Sequence, residues 1–296
     1  MSLFCASLIA ALLSAGDPAA KDEDGWKFDP NTLRLTGPAV TALLRPVGDM
    51  HGVVIEKMGD AESPVARDRA FLNLEHYLEK GRSAEYLPRR LDHTVTMSRR
   101  YLSIHFPQPN DWPVATRLTY RFHAPATIDA RLDFSFSGKL SQFEVYFTSY
   151  FAPRYERSIR VNGKWLRPEI SPKEQVLIPR DDKVAGRYKD GRWDFLKGRT
   201  RLAQERFDLP VMISKDDETG WTVVQMVEPG ACTHIAPNRF AVGHNFIIGG
   251  WDVDQGDKRS ARVRMIFGKD LSEAAVEKAY EAFADHCRKA AGATGG

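Results

Sequence analysis

Apolar and polar residues alternate with a period of two through the segment 100–151, and this pattern constrains the fold more than any other feature of the sequence. Successive side chains of a β-strand point to opposite faces of a sheet, so the alternation predicts strands with one buried face. Four consecutive runs show it: Arg100–Phe106, Arg117–His123, Asp129–Phe136 and Phe143–Phe151. The links between them contain proline, glycine, asparagine and aspartate, which favour turns. We therefore expect antiparallel strands that pair in order.

The rest of the chain adds more strands and few helices. Four further strands are predicted: Glu174–Ile178, Trp221–Val227, Phe240–Ile248 and Arg259–Phe267. Apolar residues at helical spacing predict helices over Ala66–Lys80 and Leu271–Ala290. Regular alternation of strands with helices is absent, which excludes a doubly wound α/β domain. The predicted fold is mostly β: a single large antiparallel β-sandwich or supersandwich over 26–290, with one or two peripheral helices.

The charges of the sequence are nearly balanced. Lys and Arg number 42 against 39 Asp and Glu, which gives a net charge of +3, and both signs are spread along the chain. Proteins that bind nucleic acid present an excess of basic residues to the phosphate backbone, so we expect no nucleic acid partner. No glycine-rich phosphate loop stands at a strand-to-helix junction, and we expect no cofactor. The oligomeric state is left open.

The N-terminal segment 1–16 has the character of an export signal. It is apolar or small from Leu3 onward, and small residues precede a cleavage site before Asp17. We interpret 17–25 as a flexible leader and 291–296 as a disordered tail, and we expect a periplasmic or extracellular protein. No Lys or Arg precedes Lys21, so the alternative is an N-terminal helix docked on the domain. After the signal, no apolar stretch has the roughly 20 residues of a membrane span.

Cysteines and acidic residues give no support for a metal site. Cleavage after Gly16 removes Cys5 and leaves Cys232 and Cys287, for which one disulfide and two unpaired buried thiols are both open. No CxxC motif or Cys/His cluster is present, so no zinc site is expected. The segment Asp252–Asp257 holds three carboxylates but lacks the register of an EF-hand loop. A hairpin turn is favoured there over a calcium site.

The polar side of the early strands is the candidate binding surface. If these strands pair in order, arginines, carboxylates and tyrosines share one face of the sheet. Sugars are bound by such sets, because hydroxyls need donors and acceptors while the C–H face of the ring packs on an aromatic plane. The candidate ligand-binding residues are Arg121, Arg131, Asp133, Tyr146 and Tyr150. The candidate acid/base residues are His105, His123 and Glu144. The alternative is a solvated outer face whose charges pair across strands.

The stretch Phe147-Thr148-Ser149-Tyr150-Phe151 and the strands before it resemble the galactose-mutarotase-like β-supersandwich superfamily. The resemblance covers about residues 45–268 and implies a carbohydrate-active fold. In the epimerases of this superfamily, an Asn-His-x-Tyr-Phe stretch supplies a catalytic histidine. Here Tyr150 and Phe151 match that stretch, but Thr148 stands at the histidine position. This departure argues against sugar-anomer interconversion by the usual acid/base pair.

These features together predict an exported protein that binds a sugar or glycan on a polar and aromatic sheet face, with acid/base chemistry at a sugar carbon left open. The alternative from another class is a non-catalytic cell-envelope scaffold or protein-interaction module. A concave site of Arg, Glu, His and Tyr favours the first function, whereas a flat apolar patch favours the second. A calcium-stabilised lectin is a third hypothesis.

Overall fold

Strands dominate the chain, which folds into three β-sheets. The computed structural model describes residues 26–29, 31–45, 50–97, 101–123 and 125–292. The first strands are β1 (Lys27–Asp29), β2 (Arg34–Thr36), β3 (Val40–Arg45), β4 (Gly52–Met58), β5 (Ala61–Glu62), β6 (Asn73–Glu79) and β7 (Arg82–Ala84). The short helix α1 (Leu87–Arg90) precedes β8 (Thr94–Met97), β9 (Tyr101–Phe106), β10 (Val114–His123), β11 (Thr127–Phe136), β12 (Leu140–Tyr150), β13 (Tyr155–Val161), β14 (Lys164–Leu166) and β15 (Gln175–Pro179).

The C-terminal part of the chain continues both larger sheets. It contains α2 (Asp182–Ala185), the 3-10 turns Gly186–Lys189 and Asp194–Leu196, and then β16 (Thr200–Leu202), β17 (Phe207–Asp216), β18 (Trp221–Val227), β19 (Cys232–Ile235), β20 (Gly243–Val253), β21 (Lys258–Lys269) and α3 (Glu273–Gly292). The sheet orders are β1-β2-β3-β4-β5, β14-β13-β17-β18-β21-β11-β10-β9-β8 and β16-β15-β19-β20-β12-β6-β7. Strand pairs are antiparallel apart from the parallel pair of β15 with β16.

The nine-stranded and seven-stranded sheets stack face to face around the main core. Tyr77 of β6 extends across to β10, where its hydroxyl lies 2.9 Å from Thr116 Oγ1. Phe143 of β12 packs edge-on against Phe134 and Phe136 of β11. Buried apolar residues from all three sheets form one contiguous cluster. The predicted mostly β sandwich is confirmed.

The helix α3 covers part of the outer face of the nine-stranded sheet. Val276 and Phe283 pack with Val211 and Val224 in a second, smaller apolar cluster. The hydroxyl of Ser272 accepts a hydrogen bond from the backbone N–H of Ala275 at 3.2 Å and so caps the first turn. The helix predicted over Leu271–Ala290 is thus confirmed with shifted bounds. Among the described residues, no helix has the length and apolar character that crossing a membrane requires.

The helix predicted over Ala66–Lys80 is wrong. Its second half is β6, a strand buried along its whole length. Leu74 packs in the main core while Leu78 packs on the opposite face of the sheet, in a cluster with Tyr146 and Trp193. Because both faces of this strand are covered, the period-two pattern is lost, and the remaining spacing imitates a helix.

The predicted strands of 100–151 exist, but their pairing is only partly as expected. The strands β9, β10 and β11 pair in order. The next strand, β12, is wrongly placed by the prediction, because it lies in the seven-stranded sheet between β20 and β6. The turn at Ser137–Lys139 thus carries the chain from one layer of the sandwich to the other. The later predicted strands are observed as β15, β18, β20 and β21.

The structure also tests the predictions for the 252–257 turn, the two cysteines and the C-terminal tail. The segment Asp252–Asp257 forms the end of β20 and the hairpin turn to β21, as favoured. Cys232 and Cys287 are both buried with free thiols, so the disulfide alternative is wrong. The signal peptide 1–16, the leader 17–25 and residues 293–296 of the predicted tail lie outside the described residues. The helix α3 extends to Gly292, which corrects the predicted start of that tail.

Candidate functional site

The residues predicted to share one surface lie on two different sheets. His105, Arg121, His123, Arg131 and Asp133 belong to β9, β10 and β11 of the nine-stranded sheet. The three others, Glu144, Tyr146 and Tyr150, belong to β12 and lie on the outer face of the seven-stranded sheet. The prediction of a single surface is wrong, because β12 crosses to the opposite layer before it pairs.

On the nine-stranded sheet, three of the predicted residues take part in ion pairs: His123 across strands, and Arg131 with Asp133 along β11. Arg264 holds Asp129 through two hydrogen bonds of 2.6 and 2.7 Å, and His123 Nε2 lies 3.1 Å from the same carboxylate. Burial alone would raise the pKa of Asp129, but the bonds from Arg264 and His123 lower it to about 2. Arg131 pairs with Asp133 at 2.8 Å, and both side chains are largely solvated. Such pairs stabilise a sheet weakly. The solvated-face alternative describes this surface better than a binding site.

Glu144 is the centre of a buried ion cluster on the other sheet. Its Oε1 accepts a hydrogen bond from Arg187 at 2.8 Å, and its Oε2 accepts one from Arg192 at 2.6 Å. Arg192 also donates to Asp190 at 2.7 Å. Glu144 and Arg192 are fully buried. This Glu144 ion cluster fixes the segment 186–196 on the outer face of the sheet, and with both carboxylate oxygens engaged it favours a structural role for Glu144.

A second polar cluster lies on the same face, beside β12. We call it the Glu75 cluster; its members are Glu75, His76, Arg89, Thr148 and Tyr150. The Thr148 hydroxyl donates to Glu75 Oε2 at 2.5 Å, and the Tyr150 hydroxyl donates to the same carboxylate at 3.0 Å. Arg89 lies 3.5 Å from Glu75 and donates to the Tyr150 hydroxyl at 3.1 Å. Each of these side chains is at most 7% exposed, so their interactions are weakly screened.

A β-bulge places both Glu75 and His76 on this face. Tyr146 of β12 pairs with His76, and Phe147 pairs with Leu74, so Glu75 is the extra residue between them. A bulge turns the side chain of its extra residue away from strict alternation. Consecutive residues of β6 therefore both contact the outer face, which a regular strand does not allow.

His76 is held as a neutral donor. The backbone N–H of Tyr86 donates to His76 Nδ1 at 2.8 Å, so the ring proton is on Nε2, which lies 3.5 Å from Glu75 Oε1. Burial lowers the pKa of His76 to about 4; Glu75 opposes this shift, and Arg89 and Arg90 add to it. The imidazole is therefore uncharged at pH 7, with its protonated nitrogen close to a carboxylate.

Amide side chains extend the site across β20 and β15. The Tyr146 hydroxyl donates to Gln175 Oε1 at 2.6 Å and accepts from Asn245 Nδ2 at 2.8 Å. Gln175 Nε2 and Asn245 Oδ1 have no protein partner, although both atoms are buried. Gly243 is packed tightly against these amides, since a Cβ at this position would lie 2.6 Å from Asn238 Nδ2 and 2.9 Å from Asn245 Oδ1. One free donor and one free acceptor match the hydrogen-bonding capacity of a hydroxyl group.

Two exposed aromatic rings flank this face. Tyr86 and Phe240 are each 39% exposed, and with Leu166 they are the exposed large apolar side chains of the described residues. Tyr86 contacts the His76 ring edge-on at 4.7 Å between centroids, on the β6 side of β12. Phe240 lies in the connection between β19 and β20, on the opposite side. A cavity of about 430 Å3, lined in part by Glu85 and Leu87, opens next to Tyr86.

Only part of this site is predicted by the sequence. Tyr146 and Tyr150 are among the predicted residues, and Thr148 stands where the epimerases have a histidine. Glu75 and His76 are not among them, because their segment has the apolar spacing of a helix. A bulge has no reliable sequence signal, and Arg89 comes from a short helix that no periodicity marks.

Buried histidines make the stability depend on pH. Burial lowers the pKa of His234 to about 4 from a usual value of 6.5, with Glu144 opposing. Between these values the unfolded chain binds more protons, so the free energy of unfolding falls as the pH decreases from 6.5 to 4. We expect a loss on the order of 2 kcal/mol from His234 alone between pH 7 and pH 4.5. Urea unfolding at both pH values should show a smaller loss for His234→Gln, and an equal loss in variant and wild type would contradict the prediction.

Comparisons with known proteins show the fold. No protein family model matches the chain, and no curated protein matches its sequence. Among solved structures, the α-N-acetylgalactosaminidase NagBb from Bifidobacterium bifidum in complex with GalNAc aligns over 86% of this chain and 38% of its own, with 11% identity and a TM-score of 0.54. A TPR-domain containing protein from Parabacteroides distasonis aligns over 81% and 47%, with 9% identity and a TM-score of 0.51. The chain thus spans less than half the length of each.

Shorter proteins match along nearly their whole length. An aldose epimerase homologue from C. elegans aligns over 79% of this chain and 97% of its own, with 9% identity and a TM-score of 0.46. Aldose epimerase homologues, the proteins named in the predicted resemblance, are thus among the solved structures with which the chain aligns. At such identities the likeness extends to the fold alone.

Proposed function

We propose that the protein binds a carbohydrate on the outer face of the seven-stranded sheet, over the Glu75 cluster and between Tyr86 and Phe240. The observation that carries this proposal is the combination of buried, mutually bonded polar groups with two exposed aromatic rings on one sheet face. Hydroxyl-rich ligands need both kinds of contact. In a solved structure with this fold, NagBb holds GalNAc, which makes sugars the first ligand class to test.

Of the residues predicted from sequence, Tyr146 and Tyr150 belong to this face. Roles for His105, Arg121, His123, Arg131 and Asp133 stay predictions for the other sheet.

The exposed rings give the test of binding. We expect Tyr86→Ala and Phe240→Ala each to weaken binding of the best glycan from an array by about tenfold, because each removes a stacking plane. Affinity by calorimetry and folding by circular dichroism measure the effect. Leu166→Ala is the matched control, since it also removes an exposed apolar side chain (46% exposed) but lies on the edge strand β14 of the other sheet.

Variants of the nine-stranded sheet complete the test. Arg121→Gln and His123→Ala should leave glycan affinity unchanged within about twofold. Loss of binding in these variants, with full binding retained by Tyr86→Ala and Phe240→Ala, would overturn the proposed site.

Acid/base chemistry at a sugar carbon is the second candidate function, favoured by one observation. The neutral His76 Nε2–H faces Glu75 at 3.5 Å, which places a donor and a carboxylate together. We expect the wild type to accelerate mutarotation of a freshly dissolved α-sugar in a polarimeter, and Glu75→Gln to lose at least about a hundredfold of that rate. Glu85→Gln, an exposed carboxylate, is the control. A wild-type rate equal to that of buffer would leave binding as the function.

We also propose that the protein is exported, on the basis of the apolar segment 3–15 and the small residues before Asp17. Expression in a bacterial host with fractionation tests this proposal. N-terminal sequencing of the exported protein should begin at Asp17, and an intact Met1 in the cytoplasmic fraction would contradict it.

A further inference from the structure

An arginine without a carboxylate partner lies at the edge of the candidate site. Arg69 is exposed in the connection between β5 and β6, and its guanidinium carbon lies 5.1 Å from the centroid of the Tyr150 ring. Arg89 approaches the same ring at 5.8 Å. Two guanidinium groups thus flank the ring whose hydroxyl belongs to the Glu75 cluster.

The positive charges here are not balanced. Glu75 is the buried carboxylate of the cluster, and Arg89 already lies 3.5 Å from it. Within the described part of the chain, no carboxylate lies at ion-pair distance from Arg69, and its Nη1 donates to the Met50 sulfur at 4.0 Å. The adjacent Asp68 pairs with Arg67. Arg69 therefore presents a positive charge without a countercharge at the mouth of the site.

The field of Arg69 extends to the exposed ring beside it. Burial raises the pKa of Tyr86, as do Glu75 and Glu85, whereas Arg89 and Arg69 lower it. Arg69 thus lies close enough to act on both Tyr86 and Tyr150. On the opposite rim, Arg199 stacks over Phe240 at 6.0 Å and has no carboxylate partner among the described residues either. Both exposed stacking planes have an unpaired guanidinium next to them.

We propose that the site selects acidic sugars, with the anionic group of the ligand bound by Arg69. Carboxylates of uronic acids and sulfate esters share this chemistry, and both accept paired hydrogen bonds from a guanidinium group. The proposal rests on carbohydrate binding at this face and adds the class of sugar.

Matched ligand pairs test the inference. We compare galacturonate with galactose, glucuronate with glucose, and galactose 6-sulfate with galactose, by calorimetry at pH 7 and about 20 mM salt. Because the acidic sugar of each pair would gain a charge-assisted hydrogen bond, we expect it to bind about tenfold more tightly than the neutral sugar. This ratio of affinities should decrease as the salt concentration is raised to about 0.5 M. The uronate and sulfate pairs show which anion the site prefers.

Three variants assign the preference to Arg69. Arg69→Gln should reduce the preference for acids to less than about threefold while affinity for the neutral sugar stays the same. Arg69→Lys should retain part of it through its charge. Arg117→Gln is the matched control, because Arg117 is also an exposed arginine without an ion-pair partner among the described residues but lies on the other sheet; it should retain the full preference.

The outcomes separate this inference from the proposed function. Equal affinity for acidic and neutral sugars, or an unchanged preference in Arg69→Gln, overturns the selection of acids and leaves carbohydrate binding intact. Absence of binding to every sugar of the three pairs overturns both.

Discussion

Replacing Glu144 by alanine is expected to lower the free energy of unfolding by about 3–5 kcal/mol, because it leaves two buried arginines without a countercharge. Glu144 is fully buried, and its two oxygens accept hydrogen bonds from Arg187 and Arg192. In the folded protein, neither guanidinium can recover water without displacement of the segment 186–196. Urea unfolding measured by tryptophan fluorescence gives the change.

An exposed ion pair provides the control for this variant. Asp133→Asn removes the carboxylate that pairs with Arg131, where both side chains are more than a third exposed, and should cost less than about 0.5 kcal/mol. A Glu144→Ala protein that unfolds within about 1 kcal/mol of wild type, yet loses ligand binding or activity, would return Glu144 to the set of catalytic residues predicted from sequence.

Phe143→Ala is expected to have an effect of similar size for a different reason. This side chain is fully buried between the two large sheets, where its ring centroid lies 5.5 Å from that of Phe134 and 5.2 Å from that of Phe136. Truncation leaves a cavity that neither sheet can close without loss of strand pairing. We expect a loss of about 3–5 kcal/mol, measured by the same urea unfolding.

The matched control for the core variant is Phe240→Ala. It removes the same side chain from a position that is 39% exposed, and it should cost less than about 1 kcal/mol. A cost of Phe143→Ala no larger than that of Phe240→Ala would show that the two sheets do not share a packed interior at this point.

The sequence predicts strands best where one face of a sheet meets water. The strands β10 and β11 alternate strictly between buried and solvated residues, and their pairing follows from adjacency. The strand β6 is buried on both faces, so its pattern carries no period, and its prediction as a helix failed. For β12, the aromatic residues on both sides were visible, but nothing in the sequence signals that its chain crosses to the other layer.

The candidate site was predictable only on β12, where the alternating pattern pointed to Tyr146 and Tyr150 and the resemblance drew attention to Thr148. Tyr146, Thr148 and Tyr150 lie on β12 within or next to the stretch that resembles the epimerases. Glu75 faces the site because of a bulge in β6, and Arg89 contacts it from the short helix α1. Such positions depend on long-range packing rather than on a local sequence pattern, so they cannot be predicted from a single sequence.

The origin of the strands around the Glu75 cluster has a consequence for the order of folding. The central strands β6, β12 and β20 come from Asn73–Glu79, Leu140–Tyr150 and Gly243–Val253, which are separated by long stretches of chain. The meander of β9, β10 and β11, by contrast, is local in sequence. Strands that are close in sequence pair quickly, because the loop that they close is small. Strands that are far apart in sequence pair more slowly. During synthesis on the ribosome, the meander can therefore assemble early, while the centre of the seven-stranded sheet is completed only after residue 253 has left the exit tunnel.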